Sequence, residues 1–249
     1  MTEPSLSDTV VLITGGARRI GAVVCRRLHA EGARVVVHYR SSKTEVDALR
    51  RELEAIRPGS AAIVQADLLE ASAPQRIVEA ALDAFGRIDV LINNASSFYP
   101  TPIGTATFDH WKDLMGTNLR VPFFLAQAAA PHLRERRGTI VSIADIHADR
   151  PLKGHTLYSM AKAGLVMLTK SLARELAPEV RVNAIAPGAI MWPEREMDDA
   201  TRERILSTTP LQRVGQPEDI AATVLFLVRD AHYVTGQVIA VCGGRSITL

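Results

Sequence analysis

Cysteine is scarce: Cys25 and Cys242 are the only two in 249 residues. Two thiols so widely spaced make neither a disulfide framework nor a metal-ligand motif, so no metal is expected. Free thiols in a reducing cytosol are the plainest reading, which places the chain in the cytoplasm. Aromatic residues make up 5% of the chain against 47% hydrophobic residues in all, so the core must be built from Val, Ile, Leu and Ala. An excess of one charge sign is also missing, since 29 Lys and Arg face 27 Asp and Glu, interspersed. That near-balance argues against a nucleic-acid or membrane-surface protein and leaves room only for a local basic pocket. No apolar run reaches the ~20 residues that span a bilayer. The polar start MTEPSLSDT has no signal-peptide core.

What is present is an alternation of short apolar runs and helical patterns. Thr9–Thr14 (TVVLIT) reads as a buried strand that stops at Gly15-Gly16, and a helical pattern follows through Ile20, Val24 and Leu28. The turn Thr14-Gly15-Gly16-Ala17-Arg18-Arg19-Ile20-Gly21 sits between them. Glycines there let a backbone approach a pyrophosphate, and the helix N-terminus offers free N–H groups. A second strand, 34–39, ends in Tyr39-Arg40-Ser41-Ser42. An NAD site wants an acid here for the ribose 2′-OH, whereas an arginine with two hydroxyls suits a 2′-phosphate, so NADPH is expected. Further strands are read at 61–66, 88–92, 139–144, 180–186 and 237–241, with helices near 43–56, 74–85, 109–133, 157–177 and 217–229. This alternation predicts one α/β domain over 1–249: three layers around a seven-stranded, parallel, doubly wound sheet.

The chemistry centres on Asp145–Lys162. Tyr158 and Lys162 lie four residues apart, on one helix face. A phenol holds its proton to a pKa of ~10, and a nearby ammonium is expected to lower that value and make Tyr158 a usable acid. Such pairs also occur on exposed helices for no catalytic reason. Asp145 follows an apolar strand thirteen residues upstream of Tyr158, and Asn93-Asn94-Ala95 ends another strand where the sheet order should reverse.

Together these features resemble the short-chain dehydrogenase/reductase family over essentially the whole chain. The resemblance places Asp67 and Leu68 against the adenine, Asn94, Ala95 and Ser96 along the cofactor, and Pro187-Gly188 over the nicotinamide. Lys162 would bind the nicotinamide ribose, and Asn118 would hold a water of the proton relay. Residues 188–210, with Met191, Trp192 and Met197, look like a substrate loop. His147 and His155 flank the site without an assigned role. By resemblance the protein would be a homotetramer built through its long helices.

Four departures narrow the branch. Arg19 stands where the family's glycine spacing wants Gly, and Asp145 where most members have a Ser that donates to a substrate carbonyl. His38-Tyr39-Arg40-Ser41-Ser42 and Ser96-Ser97-Phe98-Tyr99-Pro100 are the other two. The combination looks like the pteridine reductases, which reduce pterins and folates. That likeness implies a flat pterin stacked between Phe98 and the nicotinamide. Its edges would be read by Ser96 and Arg19, and its proton delivered by Asp145, Tyr158 and Lys162. A conventional ketone or 3-oxoacyl reductase is the runner-up, and a catalytically silent NADPH-binding regulator the third reading.

Overall fold

Successive residues of the apolar strands go to opposite sides of the sheet, and both sides are buried. In the computed structural model, which describes residues 6–192 and 198–248, Val11 and Ile13 of β1 (Val10–Ile13) pack in one cluster with Val35 and Val37 of β2 (Arg34–Tyr39). Val10, Leu12 and Val36 pack in the other. Strands apolar on both faces belong to a parallel sheet covered by helices on each side. β3 (Ala61–Gln65), β4 (Val90–Asn93), β5 (Thr139–Ile143), β6 (Arg181–Pro187) and β7 (Val238–Val241) complete it. The order is β3-β2-β1-β4-β5-β6-β7, all parallel, as the sequence predicts.

One helical layer holds α1 (Arg19–Ala30) and α2 (Lys43–Ile56), the other α3 (Ala73–Phe85). The helical run expected over 109–133 is two helices, α4 (Phe108–Met115) and α5 (Val121–Glu135), joined by a π-helical turn at Gly116–Arg120. Pro122, just past the turn, has no N–H to continue an ordinary ladder. The turn carries the fully buried Asn118. α6 (Thr156–Glu175) follows β5 and packs with α4, and α7 (Asp199–Ser207) and α8 (Pro217–Leu225) come later. α8 packs on α1 in the first layer and ends in a second π turn, Phe226–Asp230, where the predicted 217–229 helix finishes. Of the expected substrate loop, 193–197 (including Met197) lies outside the described residues. Among the described residues no helix is long and apolar enough to cross a membrane.

After β3 the chain crosses to the far side of β1 to form β4. Sheet order therefore reverses between β1 and β4, and their carboxyl ends flank a crevice.

Candidate active site

The crevice is tied together by main-chain groups. Gly15 takes a left-handed φ of +61° and donates its N–H to His38 Nδ1 at 3.2 Å. His38 Nε2 lies 3.0 Å from the carbonyl of Ala66. With Nδ1 accepting and Nε2 donating, the buried imidazole is neutral, and burial lowers its pKa. The Asn94 amide donates to the carbonyls of Thr14 and Gly15, each at 2.9 Å. The Thr14 hydroxyl accepts from the N–H groups of Asn94 and Ala95 at 3.0 and 3.1 Å. A methyl group on Gly21 would stand 2.5 Å from the Gly15 carbonyl oxygen. Asn94 and Gly21 thus hold the glycine turn in one shape. Arg19, at the position where a glycine was expected, has a φ of +50°. A side chain in that region costs roughly 1–2 kcal/mol, which explains why glycine is usual there.

This turn opens on a cleft of about 450 Å³. Gly15, Arg18, Arg19, Ile20, Tyr39, Arg40, Ser41, Ser42, Asp67, Leu68, Asn94, Ala95 and Ser96, all predicted cofactor residues, line it. Ala17, His38 and Thr117 join them. Arg18 also pairs with Glu45 at 3.3 Å, and Asp67 accepts from the Leu69 N–H at 2.9 Å in its own turn. The residues fit a dinucleotide: glycines without room for a Cβ, the N-terminus of α1, and Arg40 with Ser41 and Ser42 at the end of β2. Pro187 and Gly188 close β6, where the Gly188 N–H donates to the carbonyl of Val241 at 3.0 Å. Added bulk at Gly188 would strike Cys242.

Beside the cleft, α6 and the end of β5 bring the three catalytic candidates together. Tyr158 donates its hydroxyl proton to Asp145 Oδ2 at 2.7 Å. Asp145 Oδ1 accepts from the His147 N–H at 2.8 Å, which fixes the carboxylate. Lys162 is fully buried and donates to the Ile143 carbonyl at 2.8 Å. Its Nζ stands 5.6 Å from the Tyr158 ring centroid. The expected acidification of Tyr158 by this ammonium is not met: burial first, and then the Asp145 charge, push the phenol well above its ordinary value. The reason is geometric, because Asp145 touches the hydroxyl while Lys162 faces the ring and a carbonyl. Burial brings Lys162 itself down to about 8.

Side chains of the segment after β4 alternate in direction. Ser97 and Tyr99 both bond Asp113 of α4, at 3.0 and 2.9 Å. Tyr99 is the anchor, its pKa pushed up to about 12 by burial and by Asp113. Ser96 and Phe98 point the other way. Ser96 donates to Asn118 Oδ1 at 2.7 Å and lies close enough to the Tyr158 hydroxyl to favour its ionised form slightly. Both Asn118 amide protons are committed, to the carbonyls of Ser97 and Leu114, each at 2.9 Å. Asn118 therefore orients Ser96, a role the family likeness had not suggested. Phe98 is 49% exposed, stands edge-on to Tyr158 at 4.8 Å and stacks on His155 at 4.8 Å and 14°. His155, given no role from the sequence, thus backs the ring. Thr14, His38 and Asp113 were missed as site-forming residues. Only His38 carried a signal, a polar residue within the apolar run of β2. Trp192 in the expected substrate loop faces Arg202 of α7, 5.6 Å from ring centroid to guanidinium. Among the described residues no cluster could hold a metal ion.

Comparison with known proteins places this geometry. A family model described as Enoyl-(Acyl carrier protein) reductase matches residues 15–246. Pteridine reductase 1 of Leishmania tarentolae is 39% identical, with 96% of each chain covered. A 3-oxoacyl-[acyl-carrier-protein] reductase of Synechocystis sp. is 38% identical over 96% of this chain and 98% of its own. A blue fluorescent protein from a metagenomic library, solved in complex with NADPH, superposes with a TM-score of 0.91 at 36% identity, covering 97% of this chain and 99% of that one. The chain belongs to the short-chain dehydrogenase/reductase family of nicotinamide-dependent oxidoreductases.

Proposed function

We propose that the chain is an NADPH-dependent pteridine reductase that brings a dihydropterin or dihydrofolate to its tetrahydro form. The observation that carries this reading is the bond from Tyr158 to Asp145. A ketone reductase needs a hydroxyl donor at position 145 to polarise a carbonyl, and an ionised carboxylate only accepts. Identity does not separate the branches, since the pterin-reducing and 3-oxoacyl-reducing relatives stand at 39% and 38%. The 3-oxoacyl reading, the runner-up, has those relatives in its favour but no donor at 145.

Arg18, Arg19, Arg40, Ser41 and Ser42 would hold the phosphates of NADPH, Asp67 and Leu68 its adenine, and Lys162, Pro187 and Gly188 its nicotinamide end. NADPH when bound supplies the hydride, which goes to the carbon of a C=N bond. Phe98, backed by His155, presents a platform on which a flat heterocycle stacks. Tyr158 gives its proton to the adjacent nitrogen as charge develops there. Asp145 aims that proton and can pair with a ring N–H, while Ser96 and Arg19 take the heterocycle's polar edges. The buried ammonium of Lys162, facing the ring rather than the hydroxyl, adds positive charge to the site as the phenolate forms. The family's tetrameric assembly and a cytoplasmic location belong to the same reading. Exposed Phe123, Phe124 and Met167 on α5 and α6 support an assembly face.

Asp145→Ser tests the proposal. Losing a hydrogen bond to a charged partner should cut kcat/KM for dihydropterins roughly 10- to 100-fold, and ketone reduction should rise. Unchanged pterin turnover in this variant would overturn the role given to the carboxylate.

A further inference from the structure

The C-terminal segment packs against the turn after β6 and the end of α7. After β7, Gly243 and Gly244 turn with φ of +62° and +84° and pack on Thr209 and Pro210, just beyond α7. The Gly243 carbonyl accepts from the Leu211 N–H at 3.1 Å, and Val241 is bonded to Gly188. The segment is thereby fastened both to the turn after β6 and to the end of α7. Its last 3-10 turn, Arg245–Ile247, carries one charged side chain.

Arg245 is half-buried, and its Nε is buried with no hydrogen-bond partner among the described residues. A guanidinium is a five-donor group, and a buried N–H without an acceptor is costly. The charged and titratable groups that act on it are Arg204 of α7, Asp145 and the Cys242 thiol. Burial and Arg204 oppose its charge, and Asp145 supports it. Both Asp145 oxygens already accept bonds, from Tyr158 and from the His147 N–H. Two guanidinium groups that oppose each other's charge, one with an unsatisfied buried donor, call for an anion from outside the chain.

We propose that Arg245, with Arg204 beside it, forms an anion-binding subsite for a carboxylate on the substrate's tail. This makes glutamylated dihydropterins, rather than pterins with neutral polyol tails, the preferred substrates. The inference rests on the pterin reading above and deepens it. Asp145 acts on Arg245 electrostatically and the segment that carries Arg245 is fastened to the end of α7, so a heterocycle held at Asp145 and Phe98 can extend its tail toward α7.

The test is steady-state kinetics of the full-length enzyme with NADPH, comparing dihydrofolate with dihydrobiopterin in wild type, Arg245→Met and Arg245→Lys. The KM ratio of dihydrofolate to dihydrobiopterin should rise roughly tenfold or more in Arg245→Met. It should recover in part in Arg245→Lys, with the effect in KM rather than kcat. Added salt should raise the dihydrofolate KM of wild type and not of Arg245→Met. Equal changes for both substrates, or none, would overturn the subsite. A rise confined to an acetoacetyl phosphopantetheine thioester would show a phosphate as the anion and overturn the glutamyl assignment. If wild type reduces no dihydropterin, the reaction reading falls and the subsite is judged by binding of p-aminobenzoylglutamate. Weaker binding by Arg245→Met than by wild type sustains it, and equal binding overturns it.

Discussion

Tyr158→Phe should lower kcat for the proposed dihydropterin reduction on the order of 10³-fold, the contribution of one positioned general acid, while NADPH still binds. The hydroxyl is the group proposed to meet a reacting atom, and Asp145 serves to aim it. Because burial and Asp145 hold its proton firmly, Tyr158 stays protonated across the neutral and mildly alkaline range. Its own ionisation therefore does not set the alkaline limb of the rate. The ring stays in place against Phe98, and the fold loses one hydrogen bond, worth about 1 kcal/mol. Loss of turnover with a melting temperature within a few degrees of wild type is the expected pair of results. Retained turnover in the Phe variant would move the proton donor elsewhere, with Asp145 the next group in line.

Lys162→Met has the second-largest effect, a fall in kcat of roughly 10²–10³-fold, the scale of losing a preorganised charge. Lys162 has its pKa brought from 10.5 to about 8 by burial. Its ammonium is present below that pH and lost above it, so wild-type activity should decline above pH about 8 and the Met variant should lack that limb. Stability moves in the opposite sense. Between about 8 and 10.5 the unfolded lysine holds a proton that the folded one has released. Stability contributed by this site therefore rises with pH in that window, by up to roughly 1.4 kcal/mol per pH unit. Tyr158 acts against it above pH ~10, but that residue is common to both proteins. Denaturant titrations from pH 7 to 10 should show wild type gaining on Lys162→Met. A constant gap would mean that Lys162 keeps its proton on folding.

The fold was legible because its signals are local and repeated. Apolar strand runs of Val and Ile, glycine at the first turn and helical spacing between them leave little choice but a parallel sheet covered on both sides. The lining of the cleft was legible for the same reason, since Gly15, Arg40 and Asn94 sit at strand ends, where topology alone brings them together. The grouping of Asp145, Tyr158 and Lys162 was legible, yet its electrostatics were not. Spacing puts Tyr158 and Lys162 on one helix face, but only the fold shows that the ammonium points at Ile143 and the phenol at Asp145. His155 and Arg245 were opaque because their partners are distant in sequence. Phe98 lies 57 residues from His155 by the residue numbers, and Arg245 is 100 residues from Asp145. The two π turns were also hidden, since the helical pattern runs through them unbroken in polarity.

Pterin and ketone reduction are separated by kcat/KM with NADPH for dihydrofolate and dihydrobiopterin against a 3-oxoacyl thioester and simple ketones, measured on one preparation of the wild-type enzyme. Pterin values higher by roughly two orders of magnitude are expected, the discrimination available to a site whose polar groups match one substrate and are left unpaired by the other. Turnover confined to the ketones would contradict the pterin assignment and leave Arg19, Phe98 and Asp145 as features of an oxoacyl reductase.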